Sequence, residues 1–328
     1  MSNIVFAVNA VFPLILTVLA GYLLKRIKII SKELSGGMNR LVFRLFLPCM
    51  LFLNVYNIED LAALDLTYVW YTLGITGLLF LLAIPVTKWI SSDGRQRGVL
   101  LQASFRSNFA LVGIPLAESL FGQAGSRVAT LLSAFIIPLY NVLAVICLTV
   151  FSENTEKKIK VKRILPDIVK NPLIQAIALG CVCLAIRALL DSFDIDFRIK
   201  SDLPVIYKTL DSLSKVATPL ALVVLGAQFE FTAIASLKKQ ILFGVIMRAL
   251  VVPVIGLGTA YLLGCFEGAH FAAFAAVFVT PIAVSSVPMA QEMGADSDLA
   301  GQLVVWTTLL SALTLFVSAT VLKSLGVF

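Results

Sequence analysis

Two apolar stretches of the sequence carry glycine, proline and small polar residues where a buried helix would carry hydrophobic ones. The first is 107-SNFALVGIPLAESLFG-122 and the second is 280-TPIAVSSVPMAQEMG-294. Proline removes one backbone donor and clashes with the carbonyl four residues earlier, so Pro115 and Pro288 are each predicted to break a helix and to free a carbonyl. A polar backbone group freed away from water is costly unless a partner satisfies it. Both breaks are therefore predicted to line a cavity.

The residues around these two breaks have the chemistry of an anion site. Where a helix restarts after a break, its N-terminal end carries roughly +0.5 elementary charge together with free amide donors. Two restarting helices that meet would bring both ends to one point. The residues expected to bind the anion are Gln102, Arg106, Asn108, Gly113, Asn141, Ser285 and Ser286. The residues expected to hold the breaks open are Pro115, Pro281 and Pro288.

The composition places these stretches in a membrane. Of 328 residues, 59% are hydrophobic and only 14% are charged, with a mean hydropathy of +0.96, whereas soluble proteins carry about 25% charged residues. Apolar runs of about 20 residues, enough to cross roughly 30 Å of hydrocarbon, recur along the chain. We predict an all-α polytopic membrane protein with ten spans. They are residues 4–24, 37–57, 66–90, 98–121, 127–151, 168–190, 204–229, 239–263, 268–292 and 297–322.

A hydrophilic joint divides the predicted spans into two equal groups. The joint is 152-SENTEKKIKVKR-163, and five predicted spans lie on each side of it. Because five is an odd number, the second group would be inverted in the membrane relative to the first. The predicted parts are a first five-helix repeat at 1–151, a cytoplasmic linker at 152–167 and a second, inverted repeat at 168–328.

Matching phrases in the two halves indicate an internal duplication. The stretch 13-PLILTVLAG-21 in span 1 resembles 172-PLIQAIALG-180 in span 6, and 114-IPLAESLFG-122 in span 4 resembles 287-VPMAQEMG-294 in span 9. Inverted repeats whose helices are interrupted at matching positions are typical of secondary transporters, with the substrate site at the interruptions. The duplication therefore points to transport.

The placement of lysine and arginine predicts the orientation of the chain. Basic residues concentrate in the connections after spans 1, 3, 5 and 7, whereas the N-terminal tail has none. We therefore expect a multi-pass protein of the cell inner membrane or plasma membrane, with both termini outside and the central joint in the cytoplasm. The net charge of +7 is then mostly a topology signal, so that the expected partner is the lipid bilayer and not nucleic acid.

Four polar residues within the spans have no single assigned role. Arg106 stands just before the first break, where it could raise the local concentration of an anion, but its guanidinium could equally extend to the cytoplasmic interface. Asn141 could hydrogen-bond a substrate or merely join helices. Arg44 and Arg248 lie toward the cytoplasmic ends of their spans, and no role is assigned to them.

Acidic residues are scarce in the spans, which favours an anion over a cation as the ligand. Glu118 lies outward of the first break and Glu292 inward of the second, and the paired aspartates expected of a cation-exchange site are missing. A sodium/proton exchanger of the same fold stays an alternative, because Glu118 lies about one turn from the break. A membrane sensor that binds a ligand without carrying it is a further alternative.

No enzyme activity, metal site or cofactor is expected. The spans contain no Ser/His, Asp/Asp or His-rich set, and the only histidine, His270, lies near a span end. The five cysteines all fall in apolar runs and are interpreted as small buried hydrophobes. Coupling of transport to sodium or to protons stays open.

Five stretches of the chain together resemble one family. They are 106-RSNFALVGIPLA-117, 138-PLYNVLAV-145, 171-NPLIQAIALG-180, 211-DSLSKVATPLALVVLGAQF-229 and 281-PIAVSSVPMAQEMGAD-296. On these residues the chain resembles the auxin efflux carrier family, in its bacterial branch, over essentially its whole length. Asn108 falls on the asparagine of span 4 that helps to bind a carboxylate in the family. Ser285 and Ser286 stand where some relatives place an asparagine.

The resemblance implies a fold and a mechanism. It implies ten spans in a five-plus-five inverted repeat, similar to the bile acid and sodium/proton transporter folds, with spans 4 and 9 crossing at Pro115 and Pro288. Spans 1, 2, 6 and 7 would form a scaffold, and spans 3–5 and 8–10 a transport domain that moves like an elevator. Homodimerisation through the scaffold is also implied. Members of the family carry organic anions, so we expect a secondary transporter of a small carboxylate.

Overall fold

The computed structural model describes residues 3–58, 66–152, 166, 168–264 and 266–327 of the chain. Across these ranges the backbone is helical with short turns and contains no strand, which confirms the predicted all-α class. The predicted linker at 152–167 lies almost entirely outside the described residues.

Six helices make up the described part of the first half. They are α1 (Asn3–Arg26), α2 (Lys32–Leu41), α3 (Leu47–Tyr56), α4 (Leu66–Ile90), α5 (Gly94–Phe105) and α6 (Ile114–Ser152). A π-helical turn at Val42–Phe46 joins α2 to α3, and another at Phe109–Gly113 leads into α6. Inside α6, Phe121 and Gly122 leave helical geometry, with Gly122 at φ 60°. The chain therefore bends between the predicted spans 4 and 5.

The second half contains more and shorter helices. They are α7 (Pro172–Asp191), α8 (Ile199–Asp202), α9 (Pro204–Gln228), α10 (Ala233–Ser236), α11 (Lys238–Ile246), α12 (Val252–Leu263), α13 (Ala269–Phe278), α14 (Ser286–Glu292) and α15 (Ser297–Ser324). A π-helical turn at Met247–Val251 joins α11 to α12. Residues 279–285 separate α13 from α14 without forming a helix.

Seven helical stretches in the described ranges have the length and composition to cross a membrane. They are Lys32–Tyr56, Leu66–Ile90, Gly94–Phe151, Pro172–Asp191, Pro204–Gln228, Lys238–Leu263 and Ser297–Ser324. Gly94–Phe151 alone runs for 58 residues, more than twice the roughly 20 residues that one crossing needs. The predicted span 268–292 instead consists of the short helices α13 and α14. The predicted multi-pass class is therefore confirmed.

Short polar side chains begin four of these helices. Ser31, Asp93, Asn171 and Asp296 each accept a hydrogen bond from a backbone N–H two or three residues further along the chain. Such N-caps satisfy amide donors that have no partner inside the helix. The chain therefore enters these helices through defined turns.

The helices pack into two groups, and α15 joins them because it packs against α1 as well as against α11 and α14. In the first, α1 packs against α9, and α3 packs against both α7 and α9. In the second, α5 and α13 pack against α6, and α4 packs against α5. Helix α13 lies deepest, because every residue in Phe271–Phe278 is buried. The interrupted stretches of the chain therefore belong to the second group.

Two glycines let α1 and α9 come into backbone contact. A Cβ atom added at Gly226 would lie 1.9 Å from the carbonyl oxygen of Val18, and one added at Gly21 would lie 2.1 Å from that of Val223. In a bilayer, helices associate largely by close packing of small residues, since lipid tails are as apolar as the side chains. The close contact between α1 and α9 thus depends on glycine at these two positions.

Candidate functional site

The two interruptions of the chain lie against each other. Helix α5 ends at Phe105, and residues 106–108 are not helical. The second interruption is residues 279–285, between α13 and α14. The backbone N–H of Asn108 donates to the carbonyl of Pro281 at 2.7 Å. Two stretches that lie far apart in the sequence are therefore joined at their non-helical segments.

The interruptions lie a few residues before Pro115 and Pro288, where the breaks were predicted. Pro288 lies in the first turn of α14, and Pro115 lies in the first turn of α6, directly after the π-helical turn Phe109–Gly113. Proline is tolerated at such positions because the first amides of a helix have no intrahelical acceptor. The prolines thus follow the interruptions by a few residues. Pro281, by contrast, lies within the second interruption.

Gly113 serves packing at this junction and does not line the pocket described below. A Cβ atom at Gly113 would lie 2.7 Å from the carbonyl oxygen of Ala276 in α13. The residue therefore allows the start of α6 to press against the backbone of the buried helix α13. This contact holds the two interrupted stretches together.

A pocket opens beside the junction, between the two groups of helices. It is small, with a cavity volume of about 70 Å³. One wall comes from α3 and α9, and the other from the two interruptions and α6. The lining residues include Met50, Asn54, Arg106, Ser107, Asn108, Phe109, Ala110, Leu111, Tyr140, Asn141, Thr218, Val284 and Ser285. Among the residues that the structure describes, the lining contains a guanidinium, amides and hydroxyls but no carboxylate.

Arg106 is the central charge of the pocket wall. The residue is only 1% exposed, which excludes the predicted alternative in which its guanidinium extends to the interface. Nη1 donates to Oε1 of Gln102 at 3.0 Å, and Nη2 donates to Oδ1 of Asn141 at 3.0 Å and to Oγ of Ser285 at 2.8 Å. Nη1 also lies 2.9 Å from the sulfur of Met289. All of these partners are neutral.

No carboxylate balances the charge of Arg106 within the part of the chain that the structure describes. The ion pairs found there lie elsewhere, at Lys25–Glu230, Arg198–Asp191, Arg198–Asp196 and Lys215–Asp211. A cation buried without an opposite charge is costly, so such a residue usually faces a cavity or a charged ligand. The pocket therefore presents an unbalanced positive charge.

Asn141 and Gln102 orient the guanidinium. The amide nitrogen of Asn141 donates to the carbonyl of Ile137 at 2.8 Å, which leaves its oxygen turned toward Arg106. Gln102 lies one helical turn before Arg106 and is itself buried, but it does not line the pocket. Both residues were predicted to contact the substrate, and the geometry shows them in contact with Arg106.

Asn108 lines the pocket and carries an amide donor without a partner in the part of the chain that the structure describes. Its residue is 8% exposed, and its Nδ2 has no hydrogen-bond partner among the described residues. The helical stretch that begins at Phe109 follows directly, and the first amides of such a stretch lack intrahelical acceptors. Phe109, Ala110 and Leu111, the first residues of this stretch, all line the pocket. Asn108 and this helix start thus add donors beside Arg106.

The two serines of the second interruption have different surroundings. Ser285 lines the pocket and accepts a hydrogen bond from Arg106. Ser286 is 2% exposed, does not line the pocket and has an Oγ atom without a partner in the described ranges. The structure therefore brings Arg106, Asn108, Asn141 and Ser285 together at one pocket.

Three residues near the pocket are not among the predicted site residues. The hydroxyls of Tyr140 and Ser107 lie 3.1 Å apart, and both residues line the pocket. Thr218 approaches from the opposite wall, on α9. The sequence does contain a signal for two of them, because Tyr140 adjoins Asn141 and Thr218 adjoins Pro219 within apolar spans. This signal is weak, because hydroxyls in membrane helices commonly bond to their own backbone.

The interrupted helices and the similarity of the chain to known proteins together identify its family. Interrupted helices beside a pocket, in a multi-pass membrane protein, are typical of transporters. The chain belongs to the membrane transport protein family, whose model matches residues 6–318. The predicted membership of the auxin efflux carrier family is thereby confirmed. This is a family of transporters and not of enzymes.

A curated relative spans nearly the same length. It is a protein of Methanothermobacter thermautotrophicus described as an uncharacterized transporter, 23% identical over 310 residues. The match covers 94% of this chain and 95% of the relative. The relative therefore resembles the whole of this chain and not one part of it.

Proposed function

We propose that this membrane transporter is a secondary carrier of a small organic anion that bears a carboxylate. The observation that carries the proposal is the buried guanidinium of Arg106, which borders a pocket and has no carboxylate partner among the described residues. A carboxylate entering the pocket would supply the missing charge. Charge-assisted hydrogen bonds of this kind are about twice as strong as neutral ones.

Each donor at the pocket has a role in this proposal. Asn141, Gln102 and Ser285 hold the guanidinium of Arg106 at the wall. The free Nδ2 of Asn108 and the amides at the start of the helix from Phe109 then complete the set of donors around a carboxylate. The positive end of that helix adds attraction for an anion.

The positions of the acidic residues weaken the sodium/proton exchanger alternative. Glu118 is exposed and accepts a hydrogen bond from Gln123 at 3.0 Å. Glu292 accepts one from Asn39 at 3.3 Å. Neither glutamate lines the pocket. A cation exchanger needs a carboxylate at its ion site, and the pocket lining supplies none.

The two packing groups support the finer mechanism, an elevator-like motion in a ten-span inverted repeat. Helices α1, α3, α7 and α9 correspond to the implied scaffold, and the pocket lies between them and the group that carries both interruptions. Gly94–Phe151 is long enough for two crossings, with a bend at Gly122. Both termini outside and a homodimer through the scaffold complete the proposal.

A thermal-shift screen with Asn108→Ala tests the proposed site. We expect acetate or malonate to raise the melting temperature of the detergent-solubilised protein, because a ligand at a hundredfold excess over its Kd adds about 2.7 kcal/mol to the free energy of unfolding. Loss of one hydrogen bond to a charged group costs about 1.5–3 kcal/mol, so Asn108→Ala is expected to weaken binding by roughly 10- to 150-fold.

The matched control is Asn57→Ala, since Asn57 bonds Tyr207 away from the pocket. It is expected to keep the carboxylate shift of the parent. A parent protein that responds to sodium or pH and to no carboxylate would instead support the exchanger. Equal carboxylate shifts in the parent and in Asn108→Ala would remove Asn108 from the site.

A further inference from the structure

A second buried guanidinium lies at the other interruption. Arg248, in the π-helical turn between α11 and α12, is only 2% exposed, whereas no role was predicted for it. Its Nε donates to the carbonyl of Thr280 at 2.6 Å, and its Nη2 donates to that of Val277 at 2.7 Å. Both carbonyls belong to the last turn of α13 and the segment that follows.

These carbonyls lie at the negative end of an interrupted helix. The last four carbonyls of any helix lack intrahelical partners, and the end carries roughly −0.5 elementary charge. Within a membrane such groups must be satisfied by the protein, by water or by an ion. In transporters with interrupted helices, this end is a place where a coupling cation binds. Here a side chain of the protein occupies it.

The charge of Arg248 has no carboxylate partner in the described ranges. The ion pairs found there do not include it, and its Nη1 has no hydrogen-bond partner among those residues. The guanidinium thus neutralises the negative end of α13 through the carbonyls of Val277 and Thr280. A cation at that point repels a second one through the low-dielectric interior.

Arg248 is linked to the pocket through the second interruption. Its acceptor Thr280 precedes Pro281, and the carbonyl of Pro281 accepts the backbone N–H of Asn108 at 2.7 Å. On the other side, the N–H of Ile282 donates to Oγ1 of Thr307 at 3.2 Å. Three neighbouring residues of the segment are therefore each fixed by a different element. Removing the bond at Thr280 would release the end nearest Asn108.

We propose that Arg248 is a fixed internal cation that replaces a coupling ion at the end of α13 and positions Asn108 through Thr280 and Pro281. The statement about Asn108 rests on the proposed anion site, while the statement about the cation does not. It follows that the parent protein needs no sodium for stability or for anion binding.

The experiment compares Arg248→Met with Arg44→Met, because Arg44 also lies in a π-helical turn but is exposed. Melting temperatures are measured in sodium chloride and in N-methyl-D-glucamine chloride at equal ionic strength, with and without malonate. The parent and Arg44→Met are expected to melt alike in both salts. Arg248→Met is expected to melt lower and to bind malonate at least about tenfold more weakly. It is also expected to be stabilised selectively by sodium or by millimolar guanidinium, which can enter the vacated end of α13.

Arg248→Lys covers the case in which the methionine variant does not fold. Lysine keeps the charge but cannot bridge two carbonyls with a planar fork, so its melting temperature is expected between those of parent and methionine variant. Sodium dependence of the parent would overturn the proposal, as would a methionine variant with unchanged malonate affinity and no cation response. If the parent binds no carboxylate, the anion site fails, and the salt response of Arg248→Met still decides the role of Arg248.

Discussion

Replacing Arg106 with glutamine is expected to abolish carboxylate uptake while the protein still folds. Among the described residues that line the pocket, Arg106 is the only charged one, and its hydrogen-bond partners there are neutral. Losing one partner of a buried charged pair costs about 2–5 kcal/mol, which is roughly 30-fold to several thousand-fold in affinity. Glutamine keeps an amide donor for Asn141, so the wall itself is expected to hold. Uptake of labelled malonate into proteoliposomes measures the effect.

Two further variants separate charge from geometry at this position. Arg106→Lys keeps the charge but loses the planar fork that bonds Asn141 and Ser285 together. It is expected to retain weak binding with a raised Kd. Arg44→Met removes an exposed arginine and is expected to transport like the parent. Uptake by Arg106→Gln at the parent rate would remove the guanidinium from the mechanism altogether.

Adding a single methyl group at Gly226 is expected to give the largest loss of stability. Its Cβ atom would lie 1.9 Å from the carbonyl oxygen of Val18, which is backbone and cannot rotate away. Helices α1 and α9 must move apart to accommodate the alanine side chain. The contact between the two helices is then lost along its whole length. Overpacking of a tight site costs about 1–3 kcal/mol, and the breadth of this contact places Gly226→Ala at the upper end. The melting temperature in detergent and the folded yield measure it.

Gly77→Ala is the matched control for this substitution. Gly77 also lies inside a long helix, α4, but a Cβ atom added there meets nothing within 4 Å. Alanine is favoured over glycine in a helix by about 0.5–1 kcal/mol, so the control is expected to be neutral or slightly stabilising. Equal melting temperatures for Gly226→Ala and the parent would mean that the helices are not packed as closely as described.

Composition predicted the class of fold, and the two stretches rich in glycine and proline predicted which parts of the chain meet beside the pocket. The apolar runs predicted a multi-pass helical protein, and the polar residues near Asn108 and Ser285 marked two stretches that do meet. These signals are strong because a bilayer excludes unsatisfied polar groups, so any exception within a span carries information. The similarity between the sequences of the two halves can likewise be found without knowing how the helices pack.

The detail of the breaks was not predictable from residue types alone. Pro115 and Pro288 suggested breaks at their own positions, yet a proline in the first turn of a helix breaks nothing. The burial of Arg248 was equally hidden, because its acceptors are backbone carbonyls about 30 residues further along the chain. Side-chain patterns do not report where backbone groups are left without partners. Only the packing of α13 against its neighbours shows it.

The two buried guanidiniums of Arg106 and Arg248 have an electrical consequence. Arg106 lies at the first interruption and Arg248 bonds the second, and within the described residues no carboxylate pairs with either one. A positive charge that moves through the full membrane field does work of about 2.3 kcal/mol per 100 mV. In the proposed carrier cycle the empty moving body carries more positive charge than the body loaded with an anion. The resting voltage of the cell therefore acts most strongly on the return of the empty carrier.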